Sequence, residues 1–154
     1  MKSSEFDALR SRLIVGYAAE HVRAGDWRAD EADELATRET ERLVPNGVET
    51  PGMLFLTAET AAGDLVGHVW VALDVRPGSA SGAWIYDIEI EEGQRGHGYG
   101  RALLMAAERE VASHGVGVIG LNAFGTSTVA RSLYDSSGYE ITALQMRKRL
   151  SPTD

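Results

Sequence analysis

Residues Ile85 to Arg101 read IYDIEIEEGQRGHGYGR, and this stretch decides the fold. Its first part alternates, with Ile88 and Ile90 on one face of an extended chain and Asp87 and Glu89 on the other. A period of two predicts a strand over Ala83 to Ile90. Gly96, Gly98 and Gly100 come next, and from Arg101 the apolar positions Leu104, Ala107 and Val111 recur at helical spacing up to His114. Strand, glycine loop and helix in immediate succession suit an anion such as a pyrophosphate. Glycines let the main chain approach closely. The unpaired N–H groups of the first helical turn face the anion, with the positive end of the helix dipole behind them. Arg95 and Arg101 bracket the loop and add charge-assisted contacts. The plainer reading is a glycine-rich turn that serves packing alone.

Downstream of this unit, Val116 to Leu121 reads as a short buried strand. Thr126 and Ser127 can cap a helix through about Ser136, closed by Gly138, and Tyr139 to Leu150 is a last extended stretch. A strand–loop–helix–strand unit is expected to be parallel and right-handed. Upstream, Phe6, Leu9, Leu13 and Tyr17 form an apolar helical stripe that Gly25 terminates. Asp26 or Asp30 can cap a second helix to about Leu43, with Ala32, Leu35, Ala36 and Leu43 inward, before Pro45-Asn46-Gly47 stops it. Met53 to Thr57 and Leu65 to Leu73 then read as an antiparallel hairpin about the turn Ala61 to Asp64, and Pro77 to Gly82 as a loop. The expectation is one α/β (α+β) domain over residues 1–154, three-layered, with a mixed central sheet: an antiparallel first half and a parallel βαβ unit.

Composition narrows the function classes. A chain of 154 residues with 44% hydrophobic and 25% charged residues has the ordinary globular mixture and one domain's length. The net charge of -8 disfavours polyanions, so neither nucleic acid nor membrane headgroups are expected partners. No cysteine means no disulfide, no thiolate nucleophile and no Cys-ligated metal. His21, His68, His97 and His114 are scattered without ligand spacing, so no metal site is indicated. Without a long apolar run or a signal-peptide pattern, a cytoplasmic protein is expected. The glycine loop fits neither familiar nucleotide fingerprint. No Gly-Lys-Ser or Gly-Lys-Thr is present for a Walker loop, and the sixth position counted from Gly96 is Arg101 where a dinucleotide loop needs glycine.

Arg95-x-x-Gly98-x-Gly100 resembles instead the [Q/R]-x-x-G-x-[G/A] signature of the GNAT superfamily of N-acetyltransferases. Asp87 to Ile90 looks like that family's strand before the loop, and Arg101 to Leu104 like the start of the helix after it. Ala130-Arg131-Ser132-Leu133-Tyr134, followed by Gly138-Tyr139, looks like its A-x-x-L-Y-x-x-x-G-[FY] ending. The resemblance implies a three-layer fold whose parallel strands splay at a cofactor cleft, and acetyl-CoA as co-substrate. Arg95, Gly96, His97, Gly98, Tyr99, Gly100 and Arg101 would hold the pyrophosphate, and the main chain at Ile88 and Ile90 the pantetheine arm. Ser127 stands where many members place an asparagine against the cofactor. Tyr134 takes the position of the general acid that protonates the departing thiolate, a role open to a phenol of pKa ~10.

An amine acceptor must lose a proton before it attacks, and Glu89 is the expected base, with Asp87 as an acceptor contact. Asn122 stands where some relatives carry an acid on the following strand and can only orient a water or the acceptor. Trp27, near the junction of the first helices, is either a core residue or a wall of the acceptor pocket. The implied activity is direct acetyl transfer to a primary amine on a small molecule or peptide, and family members are often homodimers. A non-catalytic acyl-CoA-binding or regulatory module is the alternative.

Overall fold

Four strands form one sheet in chain order: β1 (Met53–Glu59), β2 (Leu65–Ala72), β3 (Ala83–Ile90) and β4 (Ile119–Leu121). The computed structural model describes residues 1–73, 82–146 and 148, so the expected loop Pro77 to Gly82 lies almost wholly outside the described residues. The pairs β1–β2 and β2–β3 are antiparallel and β3–β4 is parallel, the mixed sheet that the alternation and the glycine loop imply. β3 occupies the range read from its period of two.

Helices α1 (Ser3–Ala24) and α2 (Ala32–Leu43) lie on one side of the sheet, and α3 (Tyr99–Ser113) and α4 (Thr128–Asp135) on the other. On the first side Phe6 and Val44 pack on Phe55 and Trp70, while Ala18, Ala32 and Ala36 join α1 to α2. On the second, Val69, Val71, Ala83 and Ile85 meet Leu103, Leu104, Ala107 and Val111 of α3. Burying Leu103, Leu104 and Val111 contributes roughly 1.5–3 kcal/mol apiece. β2 is therefore covered on both faces and buried from Val66 to Ala72. A strand sandwiched in this way is a nearly continuous apolar run, which LVGHVWVA is except for His68.

Several boundaries differ from expectation for identifiable reasons. α2 starts after Glu31, not at a side-chain cap from Asp26 or Asp30. Asp30 is taken by Arg28, and Asp26 lies 3.4 Å from His21. β1 runs on to Glu59, β2 stops at Ala72, and α3 begins two residues early, at Tyr99. The strand expected over Val116 to Leu121 contracts to Ile119–Leu121. Gly115 and Gly117 carry no side chains to pack, and Val118 is exposed, although its carbonyl still accepts the Ala83 N–H at 2.8 Å. The extended stretch expected from Tyr139 is not a strand over 139–146, where Ile141, Leu144 and Met146 are exposed. Among the described residues no strand flanks the outer edge of β4 to pair with it; Arg147 and 149–150 lie outside the described residues.

Candidate active site

The parallel ladder between β3 and β4 is short. It runs Ala83↔Ile119, Trp84↔Gly120, Ile85↔Leu121 and stops, whereas β3 continues to Ile90. From Asp87 to Ile90 the edge of β3 facing β4 has no strand partner among the described residues. This is the splay, and it leaves main-chain groups at Ile88 and the Ile90 N–H available to a ligand, the Ile90 carbonyl being taken by Arg95 Nε. The side chains of both isoleucines pack into the α3-side core, as their alternation predicts.

A second irregularity sits where the ladder ends. Trp70 pairs with Asp87 while Val71 pairs with Ile85, so Tyr86 is an extra residue in β3. Such a bulge re-aims the side chains around it. Tyr86 turns to the α1–α2 side and packs on Trp70, ring centroids 4.7 Å apart. Asp87 is directed to His68, whose Nε2 lies 2.6 Å from its Oδ2. The His68 side chain is 3% exposed and that of Asp87 31%, so the carboxylate spans the boundary between core and cleft. Glu89 behaves differently. It is exposed and takes Nη2 of Arg95 at 3.3 Å, while Arg95 Nε donates to the Ile90 carbonyl at 2.9 Å. The Arg95 side chain thus folds back onto β3.

Tyr134 projects from α4 and is half-buried, with its ring 5.6 Å from that of Tyr139. Its phenol is pushed above the usual value of 10, first by burial and then by the negative charge of Asp87. That electrostatic influence puts Asp87 and Tyr134 in one neighbourhood. A phenol shifted upward stays protonated at neutral pH and can donate.

The glycine loop enters α3 as the motif requires. Gly96 and Gly98 have φ of 80° and 82°, the left-handed region, and a Cβ on either would meet no atom within 4 Å. The first helical hydrogen bond runs from Ala102 N–H to Gly98 O, so the N–H groups of Tyr99, Gly100 and Arg101 precede it and remain available. The cradle is thus open and lined with donors, which fits a phosphate group. Gly100 has a packing role as well, since a Cβ there would meet Leu133 Cδ2 at 3.4 Å. The Arg101 guanidinium reaches away from the loop and donates to Ser136 O and Oγ and to Ser137 Oγ, tying α3 to the end of α4. Exposed His97 donates from Nδ1 to the Gln94 carbonyl, at 3.3 Å.

The remaining candidates spread along the rim. Asn122 follows β4 and is exposed, and Ser127 precedes α4 without a side-chain capping bond. Trp27 stacks on His21 at 4.1 Å and meets Tyr17 edge-on, packing against the α1–α2 alanines. His21 in turn meets Phe124 of the loop after β4. His68 is the residue that sequence reasoning passed over; its one signal is a polar side chain inside an otherwise apolar run. Among the described residues no group of acids or histidines is arranged to hold a metal, and no helix is long and apolar enough to cross a membrane.

The acetyltransferase (GNAT) family model matches residues 17–139 of this sequence, from α1 through the end of α4. The chain belongs to the GNAT family. This member is 31% identical over 150 residues to the uncharacterized N-acetyltransferase YycN of Bacillus subtilis, covering 97% of this chain and 96% of that protein. The crystal structure of YycN superposes with a TM-score of 0.91 at 30% identity, covering 99% of this chain and 96% of the other. A second uncharacterized N-acetyltransferase of B. subtilis, YdgE, is 28% identical over 151 residues, covering 97% of this chain and 95% of YdgE. A putative acetyl transferase from Pyrococcus furiosus gives a TM-score of 0.62 at 26% identity, covering 90% of this chain and 95% of that one. This GNAT enzyme is thus an N-acetyltransferase.

Proposed function

We propose that this N-acetyltransferase moves an acetyl group from acetyl-CoA directly to the primary amine of a small molecule or peptide. The observation that carries the reading is the β3–β4 splay with Asp87 beside it, an open N–H cradle at one end and the half-buried phenol of Tyr134 nearby. Gly96, Gly98, Tyr99 and Gly100 would hold the pyrophosphate, with His97, Ser127 and the backbone of Arg95 and Arg101 around it. The main chain at Ile88 and Ile90 would receive the pantetheine arm. The substrate supplies an acyl carbon already activated as a thioester.

The side chains then divide the work. Asp87 and Glu89 offer the carboxylates that attract the ammonium of the acceptor and receive its proton. Donors along the open edge of β3 stabilise negative charge on the carbonyl oxygen, and Tyr134 gives its proton to the departing sulfur. Asn122 and Trp27 line the acceptor side. An acidic protein, at a net charge of -8, favours a cationic acceptor.

The test is thiol release from acetyl-CoA over peptide N-termini, lysine side chains, polyamines and antibiotic amines. Saturable release with one class, accompanied by an acetylated product in mass spectrometry, supports transfer. Thermal stabilisation by CoA with no product from any class would replace this reading with a non-catalytic binding module.

A further inference from the structure

His68 has no part in the mechanism above, yet it is a buried titratable side chain in hydrogen-bond contact with Asp87. The sheet register sets it opposite Thr57 on β1 and Glu89 on β3. The cross-strand neighbour Glu89 does not bond to it. Glu89 is drawn to Arg95, and His68 bonds diagonally to Asp87 at 2.6 Å. The two carboxylates of β3 are thus sorted, one to a cation at the loop and one to an imidazole inside the sheet. An ionised carboxylate only accepts hydrogen bonds, so Nε2 of His68 carries the proton in this contact. Oδ2 of Asp87 is thereby fixed by a side chain that is itself almost wholly buried.

We propose that His68 is a positioning residue for Asp87, and that Asp87 held in this way, rather than Glu89, accepts the proton of the acceptor ammonium. This rests on the transfer reading above. The ammonium N–H bond breaks and its proton passes to Oδ1 of Asp87 and on to solvent. The freed lone pair forms the C–N bond as the C–S bond breaks, and sulfur takes the phenolic proton of Tyr134. The second proton on nitrogen restores the phenol, so one proton is released per turnover. The bulge at Tyr86 aims Asp87 at this task, and His68 removes its freedom to swing toward Arg95. Fixing a reacting group in this manner lowers the barrier without altering how the acyl donor binds.

Steady-state kinetics with an amine from the active class, on the full chain, test the inference. Asp87→Asn is expected to lower kcat by about 100-fold or more. His68→Leu is expected to lower it roughly 10–100-fold with the KM for acetyl-CoA unchanged, and His68→Gln, which keeps a donor near Nε2, to restore most of it. In the Asp87→Asn background, His68→Leu is expected to change kcat by less than about twofold, because its partner is already gone. Equal losses from His68→Leu in both backgrounds, or a Glu89→Gln loss that exceeds that of Asp87→Asn, would overturn the proposal. The imidazole Nε2 proton in NMR gives a readout independent of turnover and of any His68 variant. It should be protected and downfield in the wild type and lost in Asp87→Asn; its absence from the wild type also overturns the dyad. If the wild type acetylates no amine, the transfer reading fails and the catalytic role with it, while that proton still reports whether the hydrogen bond exists.

Discussion

Replacing Gly67 by alanine sets a methyl group against main chain that cannot step aside. A Cβ at Gly67 would lie 2.2 Å from the Glu89 carbonyl oxygen, 3.0 Å from Ile90 Cδ1 and 3.1 Å from Ile90 Cα. Ordinary contact begins near 3.4 Å, so β2 and β3 must part locally by about 1 Å. Ladder hydrogen bonds stretched that far are lost, at ~0.5–1.5 kcal/mol for each. Overpacking adds ~1–3 kcal/mol, and the smaller unfolded-state entropy of alanine returns ~0.4–1 kcal/mol. The net is a destabilisation of about 3 kcal/mol. At ~2–4 °C per kcal/mol for a chain of this size, Tm falls by about 6–12 °C. Thermal unfolding followed by circular dichroism reads this directly. The displaced main chain at Glu89 and Ile90 borders the splay, so the KM for acetyl-CoA should rise as well. A variant melting within about 2 °C of the wild type, with unchanged KM, would refute the close approach of these strands.

Three further outcomes are expected. Tyr134→Phe removes the proton donor but keeps the ring that packs on the α3-side core, so kcat should fall about 100-fold or more while CoA still raises Tm equally; unchanged turnover in pre-steady-state chemistry removes the phenol from the mechanism. Arg101→Ala cuts the ties from α3 to Ser136 and Ser137 and should lower kcat more than stability, because α4 carries Tyr134; equal activity in the variant would show that α4 needs no such tether. Tyr17 has its pKa raised to about 12 by burial and by Glu39, so the unfolded chain releases that proton first as pH rises past 10. The stability it contributes is whole below pH 10 and is lost between about pH 10 and 12. Urea midpoints at pH 9 and pH 11 should differ less in Tyr17→Phe than in the wild type.

The parts of the molecule that were legible in sequence are those governed by local pattern. The alternation of Asp87 to Ile90 gave β3 and both its faces, and the spacing from Arg95 to Gly100 gave the loop whose left-handed glycines open α3. The illegible parts depend on what lies across the sheet. The bulge at Tyr86 arises from the match to β2 and has no signature in β3 alone. His68 looks like an error in an apolar strand until the register brings Asp87 within reach. Likewise, Arg101 reads as a second phosphate contact beside the loop, and only the packing of α4 reveals another partner for it. The shortness of β4 follows from the same cause, because a strand with one neighbour among the described residues and glycines on its approach has little to hold it.

The three-residue ladder between β3 and β4 also divides the molecule by cooperativity. β2 is paired along both edges and buried from Val66 to Ala72, so its amides should exchange with solvent only through global unfolding. β4 has no buried residue, and neither does α4. These elements should open in a separate, lower-energy event, with hydrogen exchange orders of magnitude faster than in β2. Asp87 stands on the slow unit and Tyr134 on the fast one. The two ends of the proposed proton path therefore belong to bodies that breathe at different rates, an arrangement that would admit and release bulky ligands while the strand proposed to orient the acceptor stays still.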